Sequence, residues 1–371
     1  MSGPLHFYEF FAGGGMARTG LGSNWNCLFA NDFDPVKGEA YRANFGATHF
    51  SSADVWSLTT KHLPGRPDLV WASSPCQDFS LAGGRAGLAG GRSSALLGFW
   101  RLMEALAEEG RGPRALVIEN VTGLLTARGG ADFIALSERL ASAGYRFGAL
   151  EIDAAAFLPQ SRPRLFMIAT REPPPSGLCL AGPAEPFHTA AIRRARALLP
   201  DAVARCWLWW SLPVPPVRNT ALGQVLELDA PWSPAARTAE LVSLMNPLHR
   251  ARLEAEGDRV GAAFRRIRLE HGVRVQRAEA RFDGLAGCLR TPTGGSSRQF
   301  VLRKGPEGVQ SRLMTPREGA RLMGLPDDYR LPPGSTAAWK VVGDGVAAPV
   351  VRWLAEHLLE PLCHRREAAA A

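Results

Sequence analysis

Phe7-Tyr8-Glu9-Phe10-Phe11 runs directly into Ala12-Gly13-Gly14-Gly15-Met16-Ala17-Arg18. An apolar run of strand character is broken by three glycines and followed by residues that suit a helix start. Glycine lets a backbone turn sharply and approach a ligand, and the first turn of a helix offers amides to polar or anionic groups. Arg18 stands where a dinucleotide fingerprint would carry its third glycine. Taken alone, the stretch is also compatible with a plain tight turn.

The same alternation continues beyond it. Trp25–Ala30, Pro67–Ala72, Ala115–Ile118 and Leu165–Ala169 read as further strands, and Pro35–Asn44, Ala95–Glu109 and Ala131–Ala143 as helices between them. Strand-helix alternation of this kind predicts a parallel sheet covered on both faces, with ligands bound beyond the carboxyl ends of its strands. The pattern breaks at Pro173–Pro175. From there to about Phe300 the chain mixes Pro-rich turns, a cluster of Trp207, Trp209 and Trp210, and arginine-rich runs without clear period. A second, irregular domain is expected there, with the tryptophans in its core. Pro349–Leu359 reads as an amphipathic helix returning to the first domain. The boundaries predicted are 1–175, 176–328 and 329–371.

Composition narrows the function classes. No run approaches the ~18 apolar residues of a membrane span, and Met1–Phe10 lacks the features of a signal peptide, so an intracellular protein is expected. The six cysteines are scattered, without zinc spacing or a disulfide framework, and no metal site is predicted. The net charge is +8, and Leu180–Phe300 holds 17 arginines against 11 acidic residues. That asymmetry suits a polyanionic partner, although GC-rich coding also favours arginine.

The residues that follow each strand carry the chemistry. In Asn31-Asp32-Phe33-Asp34 a carboxylate can take ribose hydroxyls and a ring can cover a purine, while either aspartate can instead cap the helix at Pro35. Asp54 can accept from an adenine amino group or stand as a solvated turn residue. Ser73-Ser74-Pro75-Cys76-Gln77 places a cysteine at a strand end before a loop rich in glycine (Leu81–Gly91). A lone cysteine is most often apolar filler, but a thiolate in this position is a candidate nucleophile. Glu119-Asn120-Val121 ends the next strand, and Gln160-Ser161-Arg162-Pro163-Arg164 precedes another. The carboxyl can hold a proton against a base edge, and arginines at i and i+2 of an extended segment point to one side. Each is equally open to a surface ion pair.

In their order, these motifs resemble the cytosine-5 DNA methyltransferase family of bacterial restriction-modification or orphan type. The resemblance is extended by Arg312-Leu313-x-Thr315-Pro316-Arg317-Glu318-x-Ala320-Arg321-Leu322-Met323-Gly324-Leu325-Pro326 and by Gly343-Asp344-Gly345-Val346 with Pro349-Val350. It leaves roughly 172–285 unmatched. It implies an α/β fold, a mixed, mostly parallel, doubly wound (Rossmann-like) methyltransferase sheet with a smaller, irregular target-recognition domain. It also implies S-adenosylmethionine held by Phe11, Ala12, Gly13, Gly15, Asp32, Phe33, Asp54, Val55, Pro75, Asp344 and Val346. Cys76 would add to carbon 6 of a cytosine turned out of duplex DNA, because carbon 5 is a poor nucleophile until that addition makes the ring enamine-like. Glu119 would hold the proton at ring nitrogen 3, with Arg164 and Arg162 on the carbonyl side. Arg265, Arg266, Arg268 and Arg298 are the candidate DNA contacts.

The partner implied is double-stranded DNA, met by a monomer in the bacterial cytoplasm, with room for a restriction endonuclease acting on the same site. Two departures stand out: Glu9 where the family usually has Asp, and Asp344-Gly345 where it usually has Asn and a small residue. Transfer RNA as substrate, a catalytically silent relative, and a nucleotide-dependent oxidoreductase are the rival expectations.

Overall fold

Alternating strands and helices build a seven-stranded sheet in the computed structural model, which describes residues 3–74, 95–255, 259–291, 298–305 and 308–364. Its strands are β1 (Leu5–Phe10), β2 (Trp25–Asn31), β3 (Phe50–Ser51), β4 (Leu69–Ser73), β5 (Ala115–Asn120), β6 (Arg146–Asp153) and β7 (Pro163–Thr170), in the spatial order β3-β2-β1-β4-β5-β7-β6. From β3 to β5 neighbouring strands are parallel, and β7 runs antiparallel to β5. The carboxyl ends of β1, β2, β4 and β5 therefore share one edge, and the reversed β7 starts at that same edge.

Helices α1 (Met16–Leu21), α2 (Pro35–Phe45), α3 (Ala95–Glu108) and α4 (Ala131–Ser142) connect these strands. The apolar face of α3 is buried through Leu96, Phe99, Trp100, Leu102, Met103 and Leu106, with Phe99 edge-on to Phe10 at 5.1 Å between ring centres. Each such side chain contributes about 1.5–3 kcal/mol by leaving water. Gly98 lets α3 settle here, since a Cβ on it would come within 2.9 Å of Val55. Strand β6, not anticipated from sequence, carries polar residues (Glu151, Asp153) and Gly148. The glycine is required by contact, because a Cβ there would lie 2.1 Å from the Leu208 carbonyl oxygen.

The chain divides into two compact units: 1–152, 163–215 and 350–371 form the first, and 153–162 with 216–349 the second. The break expected at 175 thus falls after Pro215. Between them β8 (Cys179–Leu180), α5 (Ala190–Ala197), α6 (Asp201–Ala204) and β9 (Trp209–Trp210) complete the first unit. The tryptophan cluster belongs here and not to a second core: Trp207 lies edge-on to Phe133 and Phe147, and buried Trp210 donates its indole N–H to the Ile168 carbonyl at 3.2 Å.

The second unit holds α7 (Ala235–Ser243), α8 (Pro247–Ala255) and an antiparallel sheet of β10 (Gly261–Glu270), β11 (Val273–Arg281), β12 (Gln299–Gly305) and β13 (Gly308–Leu313), in the order β11-β10-β12-β13. Leu241, Met245, Leu253, Ala263, Ala278, Ala280 and Leu302 form its core. Where sequence suggested irregular structure there is thus a regular sheet. Next come α9 (Pro316–Leu322) and α10 (Ser335–Asp344). Then α11 (Ala348–Leu354), a π turn (Ala355–Leu359) and α12 (Glu360–Cys363) return to the first unit, where Asn24 and Trp25 donate to the Glu360 carboxylate. Among the described residues no helix is long and apolar enough to cross a membrane.

Candidate active site

At the β1 end Phe11 adopts φ 56°, a conformation that costs a side-chain-bearing residue energy, and Gly13 (φ 57°) and Gly15 (φ 79°) follow it. The turn is fixed from below. Ala12 N–H donates to the Asn31 carbonyl at 2.9 Å, and Gly13 N–H to Asp32 Oδ2 at 2.7 Å. Asp32 is buried and accepts from Asp34 N–H with its other oxygen at 2.9 Å. Burial pushes its carboxyl pKa up, against the pull of Lys37 and the two amides.

The two aspartates thus divide their roles. Asp34 caps α2, accepting from Val36 and Lys37 N–H, and Asp32 anchors the glycine turn. Each Asp32 oxygen keeps acceptor capacity for a ribose hydroxyl. Phe33 leaves its ring 67% exposed, and among the described residues nothing lies within 4 Å of where a Gly13 Cβ would stand. The Asn31 amide donates to the Ser51 and Ala53 carbonyls, holding the Asp54 segment against β2. Asp54 caps its own short turn by accepting from Trp56 N–H at 3.0 Å, and Val55 is buried. These residues fit a nucleoside with an adjacent charged tail.

At the β5 end, Glu119 and Arg164 meet. Register pairs Glu119 with Phe166, so Arg164, two residues earlier on the antiparallel strand, is its diagonal neighbour on the same face. Arg164 Nε lies 3.2 Å from Glu119 Oε1, and the two side chains are only 15% and 7% exposed. Beside them Asn120 donates to the Ser74 carbonyl at 2.8 Å, tying the β4 end to β5. Sequence reading assigned Asn120 no such role; a polar residue ending an otherwise apolar strand is the only signal it leaves. Pro75, Cys76 and the Leu81–Gly91 stretch lie outside the described residues.

Arg162 does not join Arg164 on a shared target as expected. It is 1% exposed, and its guanidinium donates to the carbonyls of Leu289 (2.8 Å), Gly343 (2.9 Å) and Gly345 (2.6 Å) within the second unit. Gln160 works alongside it, donating to Leu322 O and accepting from Leu289 N–H. In the same unit Asp344 ends α10 and accepts from the Thr291 hydroxyl, and Val346 is buried. Arg265 pairs with Glu240 at 3.0 Å, while Arg266 and Arg268 share Glu279. Arg298 donates to Thr336 Oγ1. Arg265 and Arg298 line one cavity of about 830 Å³ with Arg237 and Arg312.

A family model described as C-5 cytosine-specific DNA methylase matches residues 5–360. The chain belongs to that family. Among curated relatives, Type II methyltransferase M.NlaX of Neisseria lactamica is 25% identical over 356 residues, 94% of this chain and 95% of the relative. Type II methyltransferase M.HhaI of Haemophilus parahaemolyticus is also 25% identical, over 95% of this chain and 94% of its own. In fold the chain is similar to S. pombe Dnmt2 methyltransferase (TM-score 0.61, 18% identity, 97% of this chain and 99% of that one). It is similarly close to the Entamoeba histolytica methyltransferase EhMeth (TM-score 0.63, 16% identity, again 97% and 99%).

Two features of this C-5 cytosine methylase take on meaning once the family is known. The Arg312–Pro326 motif is a folding device: Thr315 and Glu318 form a reciprocal cap on α9, and Arg312 meets Glu318 in a buried ion pair. Glu9, where the family usually has Asp, is enclosed beside Arg18, Cys27 and Tyr41. Burial raises its pKa to about 8 and that of the Cys27 thiol to about 12. The Arg18 side chain donates to Tyr41 at 3.0 Å and covers the Phe45 ring, and its backbone N–H reaches Glu9.

Proposed function

We propose that this methylase transfers a methyl group from S-adenosylmethionine to carbon 5 of a cytosine turned out of a specific duplex DNA sequence, through a covalent adduct with Cys76. The observation that carries this is the enclosed Glu119–Arg164 pair, set beside the Asn120–Ser74 tie two residues before Cys76.

Phe11, Gly13, Gly15, Asp32 and Phe33 would hold the cofactor, with Asp54 and Val55 forming the neighbouring wall. When bound, it supplies an electrophilic methyl. The protein's own residues do the rest. The Cys76 thiolate forms a bond to carbon 6, and the displaced ring electrons are accommodated as nitrogen 3 takes the proton held by Glu119. Arg164 keeps the Glu119 carboxyl oriented and offers its guanidinium to the carbonyl side of the ring. Carbon 5, now enamine-like, would take the methyl that the bound cofactor supplies, whose sulfonium leaves as a neutral thioether. The proton on carbon 5 then passes to solvent, nitrogen 3 returns its proton to Glu119, and the returning electrons expel Cys76 as thiolate, restoring the aromatic ring. Arg162 acts as a positioning residue, holding the Gln160–Arg164 segment that leads into β7.

The test offers labelled methyl donor with duplex DNA and, separately, with transfer RNA. Methyl on duplex cytosine, lost in Cys76→Ser, is expected. Transfer to RNA alone, or an active Cys76→Ser, would overturn the proposal.

A further inference from the structure

Strand β10 pairs with β12 only over Gly261–Phe264, yet with β11 as far as Glu270–Val273. From Arg265 outward the second unit thus projects a two-stranded ribbon of about 20 Å, closed by a His271–Gly272 turn with both residues at positive φ. Its two faces differ. On one, Arg266 and Arg268 share Glu279, and Arg277 pairs with Glu270, so charge is met within the ribbon. The other continues the face that carries Ala263, Ala278 and Ala280 into the core. Past the core that face presents Ile267 opposite Gln276 and Leu269 opposite Arg274. Ile267 is 61% exposed and Leu269 73%. The side chains of Arg274 and Gln276 are exposed and make no ion pair or side-chain hydrogen bond among the described residues.

Large apolar side chains on a lone ribbon, framed by an unpaired arginine and a glutamine, mark a surface built to be covered. The charge says by what. Residues 261–281 carry six arginines and two glutamates, which favours a polyanion over a second copy of this basic chain. We infer that this ribbon enters the major groove of the DNA substrate, with Arg274 and Gln276 reading base edges and Ile267 and Leu269 packed on thymine methyls or the groove wall. A two-stranded ribbon fits a groove ~12 Å wide, and arginine and glutamine match the donor and acceptor edges of guanine and adenine. The inference rests on the DNA-methylating role proposed above and adds the element, face and residues that choose the site. Arg265, Arg266 and Arg268, held by carboxylates, support the ribbon.

The test expresses the wild type, Arg274→Ala, Gln276→Ala, Ile267→Ser/Leu269→Ser and Val273→Ser, which alters the ribbon's other face, in a host without cytosine methylation. Genomic methylation is sequenced at base resolution, and binding is measured by anisotropy on a 40-base-pair mixed-sequence duplex and on a duplex bearing the site found. Arg274→Ala is expected to weaken specific binding about tenfold or more and relax one position of the site, with Val273→Ser unchanged. A wild type that methylates while all ribbon variants keep its site and affinity overturns the ribbon and leaves the activity standing. A wild type that neither methylates nor binds duplex overturns both. Ile267→Ser/Leu269→Ser that changes the particle mass but not DNA affinity makes the face a protein interface and overturns the inference.

Discussion

Glu119 and Arg164 are far apart in sequence and meet because β7 runs against β5. Removing the proton-holding group while keeping its shape isolates its role: Glu119→Gln should lower the single-turnover methylation rate by about 10²–10⁴-fold, with donor affinity by calorimetry unchanged. Glu9 makes a different prediction. Its unfolded carboxyl titrates near 4.5 and its folded one near 8. Between those values the folded chain keeps a proton that the unfolded chain has released, so stability is fully present below 4.5 and is lost as pH rises through about 8. Melting temperatures should therefore shift in favour of Glu9→Gln over wild type as pH rises from about 5 to about 8. A constant difference between the two proteins would show that Glu9 titrates normally. Sequence placed Glu119 correctly at its strand end, but it gave no means of seeing that Arg162 and Arg164 part, since two residues of one extended segment can enter different packing environments.

At the scale of elements, the glycine turn separates folding from binding. Gly13→Ala puts a methyl at positive φ where no described residue lies within 4 Å, costing about 1–2 kcal/mol of backbone strain, and should chiefly weaken donor binding. Gly15→Ala would put its Cβ 2.3 Å from the Phe45 ring and should lower the melting temperature markedly. Thermal unfolding with and without donor distinguishes the two. The strands β1, β2, β4 and β5 were legible because buried parallel strands are continuous apolar runs, and β7, though antiparallel to β5, because Leu165–Ala169 is buried on both faces as well. Strand β6, at the sheet edge beside β7, was not, because Glu151 and Asp153 interrupt its apolar run and Gly148 is present only to let Leu208 approach. The β10–β11 ribbon was hidden for another reason: Arg265-Arg266 and Gln276-Arg277 interrupt the alternation of Ile267-Arg268-Leu269 and Val273-Arg274-Val275, and its outer apolar residues face away from the core.

Across the whole molecule, the second unit closes through a buried cation. Arg162→Ala would leave three backbone carbonyls without their donor, at about 1–3 kcal/mol each. Denaturant unfolding should show a large loss of stability, and Arg162→Lys should recover only part of it, lacking the planar fork. The wholesale division of the chain was the least legible feature. Proline-rich turns at 173–175 look like a linker, but Trp207 and Trp210 carry the chain back into the first core, and no local pattern records such a distant contact. The discontinuity also sets an order of events on the ribosome. Trp353, which packs against Phe187 at 5.3 Å, and Glu360, which receives Asn24 and Trp25, are among the last described residues to be made. A released chain truncated after residue 349 holds every segment of the second unit but lacks the strip that seals the first. Limited proteolysis of that truncated chain should cut within the first unit and spare the second, and the polypeptide should be resistant throughout only when its final helices are present.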